Sequence, residues 1–171
     1  MHTRSARALS REFDTPYFRH ALSQFATGVT VVTTRLSDGT LLGLTASSFN
    51  SVSLEPPLVL WSLGNRASSM AAFTGNSHYV INVLAFNQAA LAERFSSRIK
   101  NRFEGVDYAL SRTGHPILKG VSAWFECHNR SRYPEGDHVI FVGEVERCEA
   151  HPQPALVVHG GQFAGTNPIP K

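Results

Sequence analysis

Between Gly28 and Leu63 the chain passes from one β-type run to the next with only turn signals in between. Gly28–Thr34 (GVTVVTT) is β-branched, and branching at Cβ crowds a helix but suits a pleated surface. Ser37-Asp38-Gly39-Thr40 follows, and Asp-Gly between two such runs signals a hairpin. Leu41–Phe49 is the predicted return strand, and Pro56-Pro57 opens another at Leu58–Leu63. Strand patterns recur at His78–Leu84, Ser122–Arg132, Val139–Glu149 and Ala155–His159. Alternation is clear around Asp137–Glu146. Val139, Phe141, Gly143 and Val145 face one way, and His138, Ile140, Val142 and Glu144 the other.

Helical patterns are few and short. Thr15–Ala26 has Thr15 as its predicted cap, Pro16 at the first helical position, and Phe18, Leu22 and Phe25 on one face. Asn65–Phe73 reads as a second helix. A third starts at Phe86-Asn87, with Asn87 capping and Phe86 packing on Leu91. Strands following strands without regular βαβ alternation predict a mainly β, antiparallel barrel with short peripheral helices, not a doubly wound sheet.

The 171 residues suit one domain with a sizeable core. It is expected over residues 15–165, with tails at 1–14 and 166–171. A net charge of +3 and a pI near 9.1 suit an anionic small molecule. The basic residues are scattered, and the interleaved basic and aromatic stripe of a nucleic-acid surface is missing. The one dense cluster, Arg98–Arg102 (RIKNR), reads as a solvated helix end. No apolar run approaches about 18 residues, so no membrane span is expected. The first fifteen residues have no apolar core of the kind a secretory signal needs. Cys127 and Cys148 have no CxxC or Cys/His spacing, so reduced, buried thiols in a cytoplasmic protein are expected.

Several chemistries are absent. There is no GxGxxG after a strand, no P-loop, no GxSxG and no HExxH. His2, His115, His128 and His151 read as surface or structural residues. What remains is a set of small polar clusters. TASSFNSVS, between the apolar runs LLGL and LVLW, is either a half-exposed strand entering a loop or a wall of amides and short hydroxyls facing a polar ring. Asn65-Arg66-Ala67-Ser68-Ser69 is either a plain helix cap or an anion site. Asn82, in an apolar strand, must be satisfied by backbone or by ligand. His138 follows the turn Gly136-Asp137, and a lone histidine there is structural or functional.

In order, FATGVTVVTT, DGTLLGLTASSFNSVSLEPPLVL, HYVINVL, GHPIL, FEC, GDHVIFVGEV and HGGQF resemble the flavin reductase-like family, the small reductase components of two-component flavin monooxygenases. The words run from about Phe18 to Phe163. The resemblance implies a split β-barrel, usually a homodimer, that binds FMN or FAD and takes hydride from NADH or NADPH. It implies a separate flavin-dependent monooxygenase that receives the reduced flavin. Carried over by position, Gly43, Thr45, Ala46, Ser47 and Ser48 would meet the flavin ring, with Ser51 and Val52 near it. Asn65, Arg66, Ser68 and Ser69 would hold the phosphate region, and Asn82, Val83, Gln88 and Phe95 would complete the pocket. His138 would position the nicotinamide, helped by Gly161 and Phe163. A flavin-binding electron carrier without NAD(P)H turnover is the alternative on the same barrel.

Overall fold

The computed structural model describes residues 12–167. Twelve strands and three α-helices follow in chain order among them. They are α1 (Thr15–Ser23), β1 (Thr27–Gly28), β2 (Thr30–Arg35), β3 (Leu41–Ala46), β4 (Asn50–Leu54), β5 (Pro57–Gly64) and α2 (Met70–Gly75). The chain continues through β6 (His78–Val83), α3 (Ala89–Ser96), β7 (Tyr108–Leu110), β8 (Pro116–Leu118), β9 (Ala123–Glu135), β10 (His138–Ala150), β11 (Val157–His159) and β12 (Gln162–Ala164). Residues 1–11 and 168–171, most of the two expected tails, lie outside the described residues.

The main sheet has seven strands in the order β3-β2-β6-β9-β10-β5-β4, and every pairing is antiparallel. Four strands separate β3 from β5 in that order. Even so, the Ser48 hydroxyl, just beyond β3, accepts from the Ser62 amide of β5 (2.9 Å) and donates to its carbonyl (3.3 Å). A sheet whose first and sixth strands touch has rolled on itself. The seam carries no backbone ladder, so the roll is a barrel split along β3 and β5. The mainly β, antiparallel expectation holds.

Strand periodicity then divides the interior. On β2 and β6, Val31 and Val80 face one cluster, with Phe95 and Phe103. Val32 and Ile81 face the other, around Trp61, Phe73, Tyr79 and Phe141. Trp61 stacks on Phe141 at 4.7 Å and meets Phe73 edge-on at 5.0 Å. Burial on both faces explains why GVTVVTT and HYVINVL read as continuous β-type runs.

The helices differ from expectation at their ends. Asp14, not Thr15, caps α1, accepting from the Tyr17 amide at 2.8 Å. No residue of α1 is buried, so Phe18 and Leu22 are open to solvent. The second helix shortens to Met70–Gly75, and Ser69 makes no capping bond. Asn87 does not cap α3. A 3-10 turn at Phe86–Gln88 precedes it, and Gln88 Oε1 accepts from the Ala85 amide. The predicted single strand Leu41–Phe49 ends at Ala46, and β4 forms beyond it. Strands β7, β8 and β12 had no sequence signal of their own. Both cysteines are free, but only Cys127 is buried; Cys148 is exposed, contrary to expectation.

Candidate functional site

The seam of the barrel is where the polar clusters meet. Leu44–Ser48 at the end of β3, Ser62–Gly64 at the end of β5, and His138 at the start of β10 line one cavity of about 300 Å³. Gly64 and His138 are register partners, which brings the turn Gly136-Asp137 against this seam. His138 Nδ1 lies 2.7 Å from Asp137 Oδ1. A carboxylate can only accept, so Nδ1 carries the proton and Nε2 is left for a ligand. The hydrogen bond from His138, then the charge of its ring, and to a smaller extent Arg19 of α1 hold the Asp137 carboxyl below its ordinary range.

The hydroxyls of the TASS patch divide into two kinds. Thr45 donates to the Ala92 carbonyl at 2.6 Å and ties β3 to α3. Ser48 bridges the seam to Ser62. Ser47 is exposed, and its hydroxyl has no hydrogen-bond partner among the described residues. Ala46 is the last paired residue of β3, so Ser47 and Ser48 lie outside the ladder.

Two further cavities flank this wall. Gly64–Ala67, Arg66 among them, and Gly136–His138 line one of about 600 Å³. On the other side of Ala67, Ser68 and Ser69 line a cavity of about 330 Å³ with Gly43, Arg98, Lys100 and Arg102. The RIKNR segment is therefore a cavity wall and not merely a solvated helix end. Arg102 is committed to the protein, donating to the carbonyls of Gly43 (2.8 Å) and Ser97 (3.1 Å). Arg98 and Lys100 have no carboxylate within 4.0 Å among the described residues. Sequence reasoning passed over Arg98, Lys100, Ser62 and Gly64. Only the cationic density of RIKNR carried a signal.

The other carried-over positions sit elsewhere. Asn82 is 0% exposed; its amide donates to Val31 O and Thr33 Oγ1, and its carbonyl accepts from the Leu118 amide. Its buried amide is thus satisfied by protein. Phe95 is 0% exposed and lies under Gly43, where an added Cβ would stand 2.7 Å from its ring. Gln88 donates to the Lys119 carbonyl at 2.7 Å, and Val83 is paired within β6. Asn82, Val83, Gln88 and Phe95 line none of these three cavities. Ser51 and Val52 are exposed on the edge strand β4, beside a bulge. Gly161 and Phe163 belong to the β11–β12 hairpin of a separate three-stranded sheet and line none of the three either.

The geometry defines a split barrel with a polar seam, one free imidazole edge and two cationic flanks. The flavin reductase like domain model matches residues 22–167, and the chain belongs to that family. It is 42% identical over 146 residues to the FMN reductase (NADH) SmoA of Agrobacterium fabrum, covering 85% of this chain and 83% of that protein. It is 44% identical over 128 residues to the reductase component of the flavin-dependent trigonelline monooxygenase of Acinetobacter baylyi, covering 75% of this chain but only 41% of that protein. Among solved structures, the Streptomyces globisporus NADH:FAD oxidoreductase SgcE6, in complex with NAD and FAD fragments, superposes with a TM-score of 0.86 at 36% identity. That match covers 91% of this chain and 94% of the other. No helix among the described residues is long and apolar enough to cross a membrane, and no group of three metal-ligating side chains occurs among them.

Proposed function

We infer that this chain is an NAD(P)H-dependent flavin reductase whose reduced flavin serves a separate monooxygenase. The observation that carries this reading is the meeting of the Leu44–Ser48 strand end with His138 across the barrel seam. The donor set fits a flavin nucleotide, FMN or FAD. Exposed Ser47 and the unpaired chain beyond Ala46 suit a ring edge rich in carbonyls and nitrogens. Ser68, Ser69, Arg98 and Lys100 suit the phosphate end. When bound, the flavin accepts at N5 a hydride from nicotinamide C4, chemistry the two cofactors supply between them.

The chain's own residues position and shield. The wall at β3 and β5 would hold the flavin ring, and His138, which lines the same cavity, would position the nicotinamide against it. Hydride transfer between the two cofactors asks no side chain to move a proton at the reacting atoms, so the Asp137 carboxylate beside His138 serves to hold the imidazole in place. The open face of α1 suits a second copy of the chain, which supports a homodimer, and the two free cysteines suit the reducing cytoplasm.

The test is oxidation of NADH and of NADPH by the purified chain, first without added flavin, then with FMN, then with FAD. Flavin-dependent turnover is expected. A yellow protein that oxidises neither nucleotide would make it an electron carrier. In the active protein, His138→Ala should weaken NAD(P)H use far more than flavin binding, read by steady-state kinetics and flavin titration. Equal losses in both would remove His138 from its role.

A further inference from the structure

By position in the sequence, Arg66 would join Ser68 and Ser69 at the flavin phosphate. The structure separates them. Ser68 and Ser69 share their cavity with Gly43, Arg98 and Lys100, whereas Arg66 shares its cavity with Asp137 and His138. We propose that Arg66 belongs to the pyridine-nucleotide half of the site and binds the pyrophosphate of the dinucleotide whose nicotinamide reaches His138. This assignment rests on the reductase reading and deepens it.

Three observations carry it. First, Arg66 is exposed, and no carboxylate lies within 4.0 Å of it among the described residues. The acid that shares its cavity, Asp137, is already paired with His138 at 2.7 Å. The guanidinium is thus free for an external anion. Second, its backbone is held in a frame. The Ala67 amide donates to the Gly64 carbonyl at 2.9 Å and closes a turn around Arg66. The Asn65 amide donates to the Asp137 carbonyl at 2.9 Å, and Asn65 Nδ2 donates to the Gly136 carbonyl at 3.2 Å. The two turns therefore move as one, and the arginine keeps its place relative to His138. Third, the cavity adjoins the one at the barrel seam, with Gly64 and His138 common to both linings. A cation there meets whatever ligand passes His138. The flavin phosphate has its own cationic wall at Arg98 and Lys100, so the remaining phosphate chemistry is that of the hydride donor. A planar fork of donors suits a pyrophosphate.

The experiment uses the full chain with Arg66→Gln and Arg66→Lys. At saturating flavin, Arg66→Gln is expected to raise the KM for the preferred nucleotide about tenfold, the scale of one charge-assisted hydrogen bond. The kcat and the flavin Kd, read by quenching of flavin fluorescence, should stay within about twofold. Arg66→Lys, which keeps the charge but not the fork, should recover part of the loss, which a merely structural role would not predict. ADP-ribose should inhibit the wild type in competition with the nucleotide and lose potency in Arg66→Gln to the same extent. An unchanged KM, a flavin Kd that rises as much as the KM, or a wild type indifferent to ADP-ribose would each overturn the assignment. A wild type that oxidises neither nucleotide would overturn the reductase reading itself, and this inference with it.

Discussion

Gly43 and Ser48 show how differently single residues of one motif act. Gly43 lies at the floor of the cationic cavity, yet what requires glycine is the core beneath it. An added Cβ would stand 2.7 and 2.9 Å from the Phe95 ring and 3.4 Å from Phe103. Both rings are buried, so neither can swing aside. Gly43→Ala should lower the unfolding free energy in urea by about 1–3 kcal/mol, the usual cost of overpacking. Ser47 and Ser48, adjacent and chemically identical, should separate. Ser48→Ala removes both side-chain bonds that close the seam and should cost about 1–2 kcal/mol in the same assay. Ser47→Ala breaks no bond among the described residues and should stay within about 0.5 kcal/mol while weakening flavin binding. The sequence showed a run of hydroxyls and backbone amides. It could not show which hydroxyls the fold would use for itself, because that depends on Ala92 and Ser62, which are remote in the chain.

At the scale of elements, the β7–β8 hairpin depends on a carboxylate from the main sheet. Glu126 of β9 is 1% exposed, and its Oε1 accepts from the Thr113 amide (2.8 Å) and hydroxyl (2.6 Å). Burial pushes its carboxyl up, but hydrogen bonds from Ser111 and Thr113 and the charge of Arg147 outweigh that and hold it below its ordinary range. A carboxyl whose pKa is lower folded than unfolded adds stability above its unfolded value and loses it as pH falls toward the folded one. Wild-type unfolding free energy should therefore drop as pH is lowered from about 5 into the range below 4.5, the ordinary value for this side chain. Glu126→Gln should be less stable by about 1–3 kcal/mol near neutral pH and show a flatter acid limb in denaturant titrations. A steep limb in the variant would place the acid sensitivity elsewhere. The sequence contains FEC, but nothing in its periodicity says that this acid reaches Thr113. Strands β7 and β8, three residues each, are too short to alternate visibly. The surrounding packing, not their own pattern, makes them strands.

For the whole molecule, the rolled sheet and the bare helix matter most. Helix α1 has Phe18 and Leu22 at 48% and 56% exposure, with Phe25 beyond its end at 73%. Its fastening includes a 2.8 Å bond from the Gly160 amide to the Ser23 carbonyl. The sequence has the apolar face that normally lays a helix on its own core, yet the described residues do not cover it. A homodimer would account for that face. Sedimentation of the wild type should give twice the chain mass, and Leu22→Asp should shift it toward a monomer without loss of secondary structure by circular dichroism. A monomeric wild type would leave the apolar face of α1 to some other contact.

What the sequence determined by itself is local. β-Branched runs and turn residues specified strands and hairpins, and the order of short motifs specified the family. What the tertiary structure decided is which local pieces share a space. Register set Gly64 against His138, and the roll of the sheet brought Ser48 to Ser62. The turn at Ala67 parted Arg66 from Ser68 and Ser69, three residues that run almost together in the chain. The physical reason is that strand periodicity fixes a side chain's face within a few residues, whereas closure of a barrel depends on pairings tens of residues apart. No short stretch of sequence encodes those distances.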